Sequence, residues 1–387
     1  MLRDAPGRYV ASLAGGETVR AFVPDTLPPV PPLDLDGARQ AALEQATLAL
    51  GRLDSIALLL PDPQLFLYAY VRREAVVSSQ IEGTQSSLSD LLLFELDEMP
   101  GVPFDDVVEV SNYVAALQHG MARLREGFPL CNRLLREMHE HLMARGRGAD
   151  KAPGEFRRSQ NWIGGTRPGN ASFVPPPPQE VAPCMAALEA LIHGETAKLP
   201  VLLKAALVHD QFETIHPFLD GNGRLGRLLI ALLLHQGGAL AQPLLYLSLF
   251  FKQHRARYYE LLDRVRTSGD WEAWVDFFLV GVEQTATGAV QTARRLVDLF
   301  QRDSQRVQAG GRGAATVLRL LEALSQRPLS SLRQMGQQAG ISFPTAAKAM
   351  LTLVDLGIAR ELTGQRRNRV FVYDAYLNIL NEGGEAL

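Results

Sequence analysis

The sequence predicts a mostly α protein of two or three domains. Apolar residues recur at helical spacing over most of the chain, the length is 387 residues, and hydrophobic residues make up 47% of the composition against 21% charged. Because one domain uses roughly 150 residues, the chain is long enough to bury a sizeable core. This composition excludes disordered and collagen-like chains. The formal net charge of -3 indicates no global field that recruits nucleic acid, although a local basic patch stays open.

The cysteines and the apolar runs predict a cytoplasmic protein. Cys131 and Cys184 are the two cysteines, and without a CxxC pair they predict neither a disulfide framework nor a structural zinc site. Residues 1–13 contain charges and no apolar signal-like run, and the longest apolar run, residues 228–234, ends at His235. We therefore expect no membrane partner.

The first predicted region, residues 1–105, begins as a loop and continues as helices. Five prolines between positions 24 and 32 predict irregular structure over the first 35 residues, because proline restricts the backbone and has no N–H to donate. Apolar spacing then predicts helices over residues 37–60, from Pro63 towards residue 83, and over residues 88–96.

The second predicted region, residues 106–308, is a helical core with one interruption. Residues 161–165 and 171–174 are short extended runs on either side of a turn-rich centre, so they predict a β-hairpin. Four consecutive prolines at 175–178 prevent an immediate return to helix.

The third predicted region, residues 309–387, follows a glycine-rich linker. Residues 311–387 hold nine Lys and Arg against six Asp and Glu, a net charge of +3. Helices are predicted over residues 314–325, 332–339 and 344–356, and two short strands flank a basic tip at 364–369. This order predicts a winged helix-turn-helix domain, whose partner is either DNA or a protein.

The run HPFLDGNGRLGR, residues 216–227, carries the chemistry. Gly221 and Gly223 let backbone N–H groups converge at the start of a helix, where its positive dipole end favours a phosphate. Arg224 and Arg227 lie three apart and present planar guanidinium groups to further phosphate oxygens. The run therefore predicts a phosphate site.

Two other side chains in this run suit phosphate chemistry. Asp220 is an oxygen ligand for Mg²⁺ shared with the phosphates, and His216 is a base available at neutral pH to take a proton from a hydroxyl. A dinucleotide-binding turn is excluded, since no strand precedes the glycines and no acidic residue follows at the required distance. An EF-hand is excluded because Arg224 and Ala231 occupy ligand positions.

The same run resembles the signature of the Fic family, HxFx[DE]GNGRxxR, at all eight specified positions, and residues 206–212 fit the family as well. The resemblance implies a helical core that transfers AMP from ATP, with Mg²⁺, to a Tyr, Thr or Ser hydroxyl of a target protein and releases pyrophosphate. It implies His216 as general base and Asp220 as metal ligand. The implied ATP-binding residues are Gly221, Asn222, Gly223, Arg224, Leu225, Gly226, Arg227, Tyr258 and Tyr259. For the two tyrosines, which resemble a segment that closes over adenine, core packing is an alternative.

The predicted hairpin is similar to the family's flap, whose backbone holds the target segment by strand addition. The implied target-docking residues are Trp162, Ile163, Gly164 and Gly165. An ordinary surface hairpin with Trp162 packed beneath it is the alternative.

A second motif of the family, [ST]xxxE[GN], matches Ser78, Glu82 and Gly83. The resemblance implies an inhibitory helix in which Glu82 pairs with Arg227 and denies it to the γ-phosphate. Some relatives instead use this glutamate to remove AMP from the modified protein.

A further alternative for the function of the whole chain is a DNA-binding regulator whose Fic-like core modifies itself. A homodimer stays open.

Overall fold

The computed structural model describes residues 5–59, 63–96, 104–194, 198–311, 313–364 and 368–382. These residues are mostly helical, as predicted. The strands are β1 Gly7–Ala14, β2 Glu17–Pro24, β3 Leu329–Ser331, β4 Arg360–Glu361 and β5 Val370–Val372. The helices are α1 Ala38–Leu59, α2 Pro63–Ile81, α3 Leu88–Phe94, α4 Phe104–Arg125, α5 Asn132–Leu142, α6 Pro178–His193, α7 Val201–Ile215, α8 Asn222–Gln236, α9 Ser248–Gln253, α10 Arg255–Ser268, α11 Trp271–Ala309, α12 Ala314–Gln326, α13 Leu332–Gln338, α14 Phe343–Asp355 and α15 Asp374–Asn381.

The chain divides into two compact units, each made of two stretches of sequence. The first contains Met1–Asp54 and Ser111–Ala286, and the second contains Ser55–Val110 and Thr287–Leu387. The division into domains 1–105, 106–308 and 309–387 stays a prediction.

The prediction of an irregular N-terminal segment is wrong for residues 7–24. These residues form an antiparallel hairpin whose register runs from the Gly7 and Pro24 pair to the Ala14 and Glu17 pair. Gly15 and Gly16 form the turn with φ of 54° and 83°, and a two-residue turn with positive φ at both positions matches the twist of the flanking strands. The prolines at 28–32 follow the hairpin and leave its hydrogen bonds intact.

The predicted second hairpin, residues 161–174, returns on itself but lacks extended strands. A single antiparallel bridge joins Ile163 to Phe173, and a short 3-10 turn occupies Pro168–Asn170. Gly164 and Gly165 have φ of 67° and 72°, so the backbone leaves the extended conformation directly after the bridge. This left-handed pair explains why the pairing stops there.

Helices α7 and α8 lie at the centre of the first unit. From Ala205 to Ile215 every side chain of α7 is buried, and α8 is buried from Arg224 to Leu234. A helix that is apolar or buried around its whole circumference is surrounded by protein. The loop between them, residues 216–221, is therefore anchored at both ends on core helices.

In the second unit, residues 313–364 and 368–382 contain the predicted helices, and β3, β5 and β4 form an antiparallel sheet in that order. Ser331 caps α13 by accepting a hydrogen bond from the Gln334 N–H at 3.3 Å. Arg366 and Arg367, at the predicted basic tip, lie outside the described residues. The winged helix-turn-helix assignment stays a prediction. Among the described helices, none combines the length and apolar character that a membrane span requires.

Candidate active site

His216 lies directly after the last residue of α7, in a left-handed backbone conformation. Its φ and ψ are 49° and 61°, and its N–H donates to the Phe212 carbonyl oxygen at 2.9 Å, which ends the helix. A non-glycine residue in this region costs roughly 1–3 kcal/mol, and such residues concentrate at functional sites. The side chain is half-buried. The surrounding structure therefore holds the predicted base in an unusual backbone geometry.

Asn222 supports the loop that precedes it. Its Oδ1 accepts a hydrogen bond from the Phe218 N–H and its Nδ2 donates to the Phe218 carbonyl oxygen, both at 2.9 Å. The residue is 2% exposed. The structure places this predicted ATP-binding side chain inside the loop, where it fixes the turn that carries Asp220.

Gly221 is the N-cap residue of α8, and both its backbone conformation and its close packing require glycine. Its φ is 74°, and a Cβ at this position would lie 2.8 Å from the Met143 sulfur. Gly223, in the first turn of α8, is half-buried. A 15-residue helix therefore begins at the partly exposed end of the site, where its dipole favours an anion.

The charged side chains of the loop differ in exposure. Arg224 is 3% exposed and Arg227 is 5% exposed, whereas the Asp220 side chain is 47% exposed. Arg224 lies 3.8 Å from Asp220 Oδ1, and the same oxygen accepts the Gly221 N–H at 2.6 Å. Within the described residues no three acidic, histidine or cysteine side chains are grouped as a metal cage. A single exposed carboxylate nevertheless fits Mg²⁺, which protein sites often hold through one or two carboxylates, waters and substrate phosphates.

His139, on α5, forms a hydrogen bond with the same loop, and the sequence did not predict this role. The Gly154 N–H donates to Nδ1 at 2.9 Å, so Nε2 carries the proton and donates to the Asp220 carbonyl oxygen at 3.0 Å. The imidazole stacks on Phe218 with centroids 3.8 Å apart. Burial lowers the pKa of His139 to about 4, which keeps the ring neutral. His139 is one of two histidines on the amphipathic helix α5, and their spacing carries no signal that indicates this contact.

His209 explains the positions of Gly226 and Tyr258. Its Nδ1 donates to the Gly226 carbonyl oxygen at 3.0 Å, so Nε2 accepts from the Tyr258 hydroxyl at 2.9 Å. Burial lowers the pKa of His209 to about 3. Tyr258 is 1% exposed and Leu225 is fully buried. For Tyr258 the structure therefore favours the core-packing alternative.

Gly226 and Tyr259 lie in contrasting surroundings. A Cβ on Gly226 would lie 2.3 Å from Glu213 Oε1, so this glycine allows α8 to approach α7 closely. Tyr259 is 42% exposed, and the Arg255 guanidinium carbon lies 5.7 Å from its ring centroid. The nucleotide contacts of both residues stay predictions.

The flap residues lie on an open surface. Trp162 is 39% exposed and is therefore not packed beneath the hairpin, and Gly164 and Gly165 are exposed at its bend. Ile163 exchanges backbone hydrogen bonds with Phe173. The Phe173 ring in turn lies under the Arg266 guanidinium at 4.0 Å. Docking of a target segment on these residues stays a prediction.

The inhibitory motif lies in the second unit, at the end of α2. The N–H groups of Glu82 and Gly83 donate to the carbonyl oxygens of Ser79 and Gln80 at 3.0 and 3.1 Å. Gly83 has φ of 101°, Ser78 is fully buried and Glu82 is exposed. Within the motif the serine is therefore buried and the glutamate lies at the surface. Pairing of Glu82 with Arg227 stays a prediction.

Comparisons with known proteins match two parts of the chain. Residues 129–234 match the model described as Fic/DOC family, and residues 40–122 match the model described as Fic/DOC family N-terminal. The chain therefore contains a Fic domain preceded by the N-terminal segment that accompanies it. The matched domain includes His139, Arg157 and the loop from His216 to Arg227.

Curated relatives and solved structures are similar to part or most of the chain. It is 33% identical over 211 residues to Protein adenylyltransferase Fic of Culex quinquefasciatus and 33% identical over 210 residues to that of Aedes aegypti, covering 53% of this chain and 39% of each relative. The chain thus spans about two fifths of the length of these relatives. A Fic family protein of Desulfovibrio desulfuricans G20 is similar in structure with a TM-score of 0.54 at 19% identity, over 86% of this chain and 95% of that one. This likeness concerns the fold alone.

Proposed function

We propose that this protein transfers AMP from ATP to a Tyr, Thr or Ser hydroxyl of a target protein, or of itself, and releases pyrophosphate. The observation that carries the proposal is the single loop between α7 and α8. It joins a half-buried His216 in a strained backbone, a half-exposed Asp220, and a glycine-capped helix start in one stretch of six residues before Asn222. A base, a metal ligand and an anion site are what this reaction requires.

In the proposed reaction, His216 takes the proton from the target hydroxyl as its oxygen attacks the α-phosphorus of ATP. The bond from the α-phosphorus to the bridging oxygen breaks, and pyrophosphate leaves with that electron pair. The start of α8 and the Arg224 and Arg227 guanidinium groups hold phosphate oxygens in line. Mg²⁺, held by Asp220, would neutralise phosphate charge. The exposed flap residues Trp162, Gly164 and Gly165 would hold the target segment beside His216.

We further propose that Glu82 restrains this activity by pairing with Arg227. The exposure of Glu82 at the end of α2 supports the proposal, because a surface carboxylate can meet a guanidinium. A guanidinium paired in this way would no longer bind the γ-phosphate. A charge-assisted pair worth about 1.5–3 kcal/mol would lower productive ATP binding about 10- to 150-fold.

Intact-mass spectrometry after incubation with ATP and Mg²⁺ tests both proposals. Glu82→Gly is expected to gain AMP mass fastest, wild type more slowly, and His216→Ala not at all, since a positioned base contributes roughly 10²–10⁴ in rate. Glu126→Gly is a matched control, because Glu126 also precedes a positive-φ glycine and is exposed. Equal gain in Glu82→Gly and Glu126→Gly contradicts the inhibitory role, and gain in His216→Ala contradicts the proposed base.

Removal of AMP from the modified protein is a second candidate activity for the same exposed Glu82. Loss of pre-installed AMP in wild type with Mg²⁺ present, and retention in Glu82→Gly, would support it. Retention in both proteins would exclude it under those conditions.

For residues 313–382 we propose a winged helix-turn-helix that contacts a protein rather than DNA. Its candidate recognition helix, α14, exposes Phe343 at 60% and Leu351 at 52%. Exposed apolar residues favour a protein partner over phosphate oxygens. A DNA shift that weakens steeply with salt and depends on Lys348 would favour DNA instead. A homodimer and a cytoplasmic location also remain proposals.

A further inference from the structure

Arg157 is a buried arginine whose side chain donates to four backbone oxygens among the described residues. The residue is 3% exposed. Its Nε donates to the His216 carbonyl oxygen at 2.9 Å, and its Nη2 donates to the Ile215 carbonyl oxygen at 3.3 Å. The backbone N–H of Arg157 donates to the Pro217 carbonyl oxygen at 2.9 Å. One residue therefore binds three consecutive carbonyl groups at the end of α7.

These three carbonyl groups are the ones that determine the backbone of His216. The last carbonyls of a helix have no partner within the helix, and a positive charge at that end is favourable. With a donor on the carbonyl before His216, on its own carbonyl and on the next one, both of its flanking peptide planes are held. The left-handed φ of 49° is thereby maintained without glycine.

The same guanidinium also binds the two ends of the flap, residues 161–174. Its Nη1 donates to the Ser159 carbonyl oxygen at 3.3 Å, just before the flap, and its Nη2 donates to the Pro176 carbonyl oxygen at 2.5 Å, just after it. A planar guanidinium reaches these separate oxygens because its five N–H groups diverge. A lysine ammonium, with all its donors on one atom, cannot span both ends of the flap and the end of α7.

Burial lowers the pKa of Arg157 to about 10, so the group is still charged at neutral pH. Within the part of the chain that the structure describes, only carbonyl oxygens accept hydrogen bonds from its side chain. A carboxylate would compensate the buried charge more fully than carbonyl dipoles do. Burying a charge against carbonyl dipoles alone is unfavourable, so the position of Arg157 is best explained by its simultaneous hydrogen bonds to several carbonyl groups.

We propose that Arg157 is a positioning residue that holds His216 in its reactive backbone conformation and fixes the flap to it. The proposal deepens the proposed function, because it rests on His216 as the base and on the flap as the docking segment. A target bound on the flap would then be held in register with the His216 side chain through one guanidinium.

The test compares Arg157→Lys and Arg157→Ala with Arg158→Ala, whose side chain is 89% exposed. The rate of AMP gain at saturating ATP and Mg²⁺ is measured by intact mass, with the Kd for ATP by calorimetry. Arg157→Lys is expected to lower the rate about 10- to 100-fold, as a misplaced catalytic group does, and to keep the wild-type Kd. Methylguanidinium is expected to restore part of the rate of Arg157→Ala, and Arg158→Ala is expected to match wild type.

A crystal structure of Arg157→Lys gives an answer that does not depend on activity. We expect His216 to leave the positive-φ region and the two ends of the flap to separate. His216 retained near φ of 49° in Arg157→Lys, or a wild-type rate in Arg157→Ala, would overturn the proposal. Should wild type gain no AMP, the reaction itself is in error and the crystal structure alone decides the positioning role.

Discussion

The Nε2 atom of His139 lies 3.0 Å from the backbone oxygen of Asp220 and donates its proton to it. This bond crosses 81 positions of sequence and ties α5 to the loop that carries the proposed metal ligand. Because Nδ1 simultaneously accepts the Gly154 N–H, the ring is committed to one tautomer. Protonation would leave this bond in place but would remove the lone pair with which Nδ1 accepts the Gly154 N–H, so acid breaks the contact between the ring and Gly154.

His139→Gln is expected to make the protein less sensitive to acid. The pKa of His139 is about 4 when folded and about 6.5 when unfolded, so between these values the unfolded state binds a proton that the folded state does not. The free energy of unfolding of wild type therefore falls as pH falls from 6.5 to 4. At pH 5 this contribution is about 2 kcal/mol, and a glutamine has none.

Urea unfolding at pH 7.5 and pH 5 measures the effect. The stability of His139→Gln relative to wild type should rise on acidification. His141→Gln, an exposed histidine of the same helix, controls for any general effect of losing a histidine. The same gain in both variants would contradict the role of His139.

Asp210→Asn is expected to stabilise the protein above neutral pH. Asp210 is 1% exposed, and neither carboxylate oxygen has a hydrogen-bond partner among the described residues. Burial raises its pKa to about 8, with Arg266 opposing the shift and Glu213 adding to it. As pH rises from about 4 to 8 the unfolded carboxyl loses its proton and the folded one keeps it, so wild-type stability decreases over that window.

Asparagine has the same shape and does not ionise, so the advantage of Asp210→Asn should grow from pH 5 to pH 8. Thermal unfolding at pH 5, 6.5 and 8 follows it. Asp298→Asn, an exposed position on α11, is the matched control. A stability difference that does not change with pH would show that the Asp210 carboxyl titrates normally.

The sequence predicted that the parts of this loop lie together at a helix start, because they are close in sequence. His216, Asp220 and Arg227 lie within a dozen positions, and glycines identify the helix start. It predicted the helices of residues 314–356 for the same reason, since apolar spacing and caps are local signals.

Contacts between distant segments and the roles of buried polar groups were not predictable in this way. The hydrogen bonds of His139 and the packing of Tyr258 against His209 arise only when distant helices meet. The β1 and β2 hairpin was not predicted, because the prolines between positions 24 and 32 lie at or after the end of β2 and do not interrupt either strand. The sequence predicted Asn222 as an ATP-binding residue, yet its side chain forms hydrogen bonds with the backbone of Phe218.

Gly226→Ala and Gly288→Ala are expected to change stability in opposite directions. Both glycines lie inside helices, but a Cβ on Gly226 would lie 2.3 Å from Glu213 Oε1 and 3.2 Å from Phe212, whereas one on Gly288 would meet nothing within 4 Å. Gly226→Ala should lower the free energy of unfolding by roughly 1–3 kcal/mol through overpacking. Gly288→Ala should raise it by about 0.5–1 kcal/mol through helix propensity. Chemical denaturation measures both, and stabilisation by Gly226→Ala would contradict the close packing of α7 and α8.

The N-terminal hairpin braces the flap, and a charge exchange tests this contact. Glu17 and Arg167 form an ion pair, and the Phe22 N–H donates to the Val174 carbonyl oxygen at 2.9 Å. The hairpin and the flap also share an apolar cluster, which consists of Ala14, Val19, Ala21 and Val174, with Val10 and Ala171 packed against it. Glu17→Arg and Arg167→Glu should each destabilise the protein, because each places like charges together. The double exchange should recover most of the loss.

The pair is partly exposed, so a coupling of about 0.2–1 kcal/mol is expected from the double-mutant cycle. The coupling should shrink in 1 M salt, where charges several ångströms apart are screened. Limited proteolysis within residues 161–174 provides the structural measurement. Either single variant should be cut faster than wild type and the double variant at the wild-type rate, because the brace opens only when the charges repel. Equal cleavage of all four proteins would mean that the hairpin and the flap are held by the apolar cluster and the backbone bond alone.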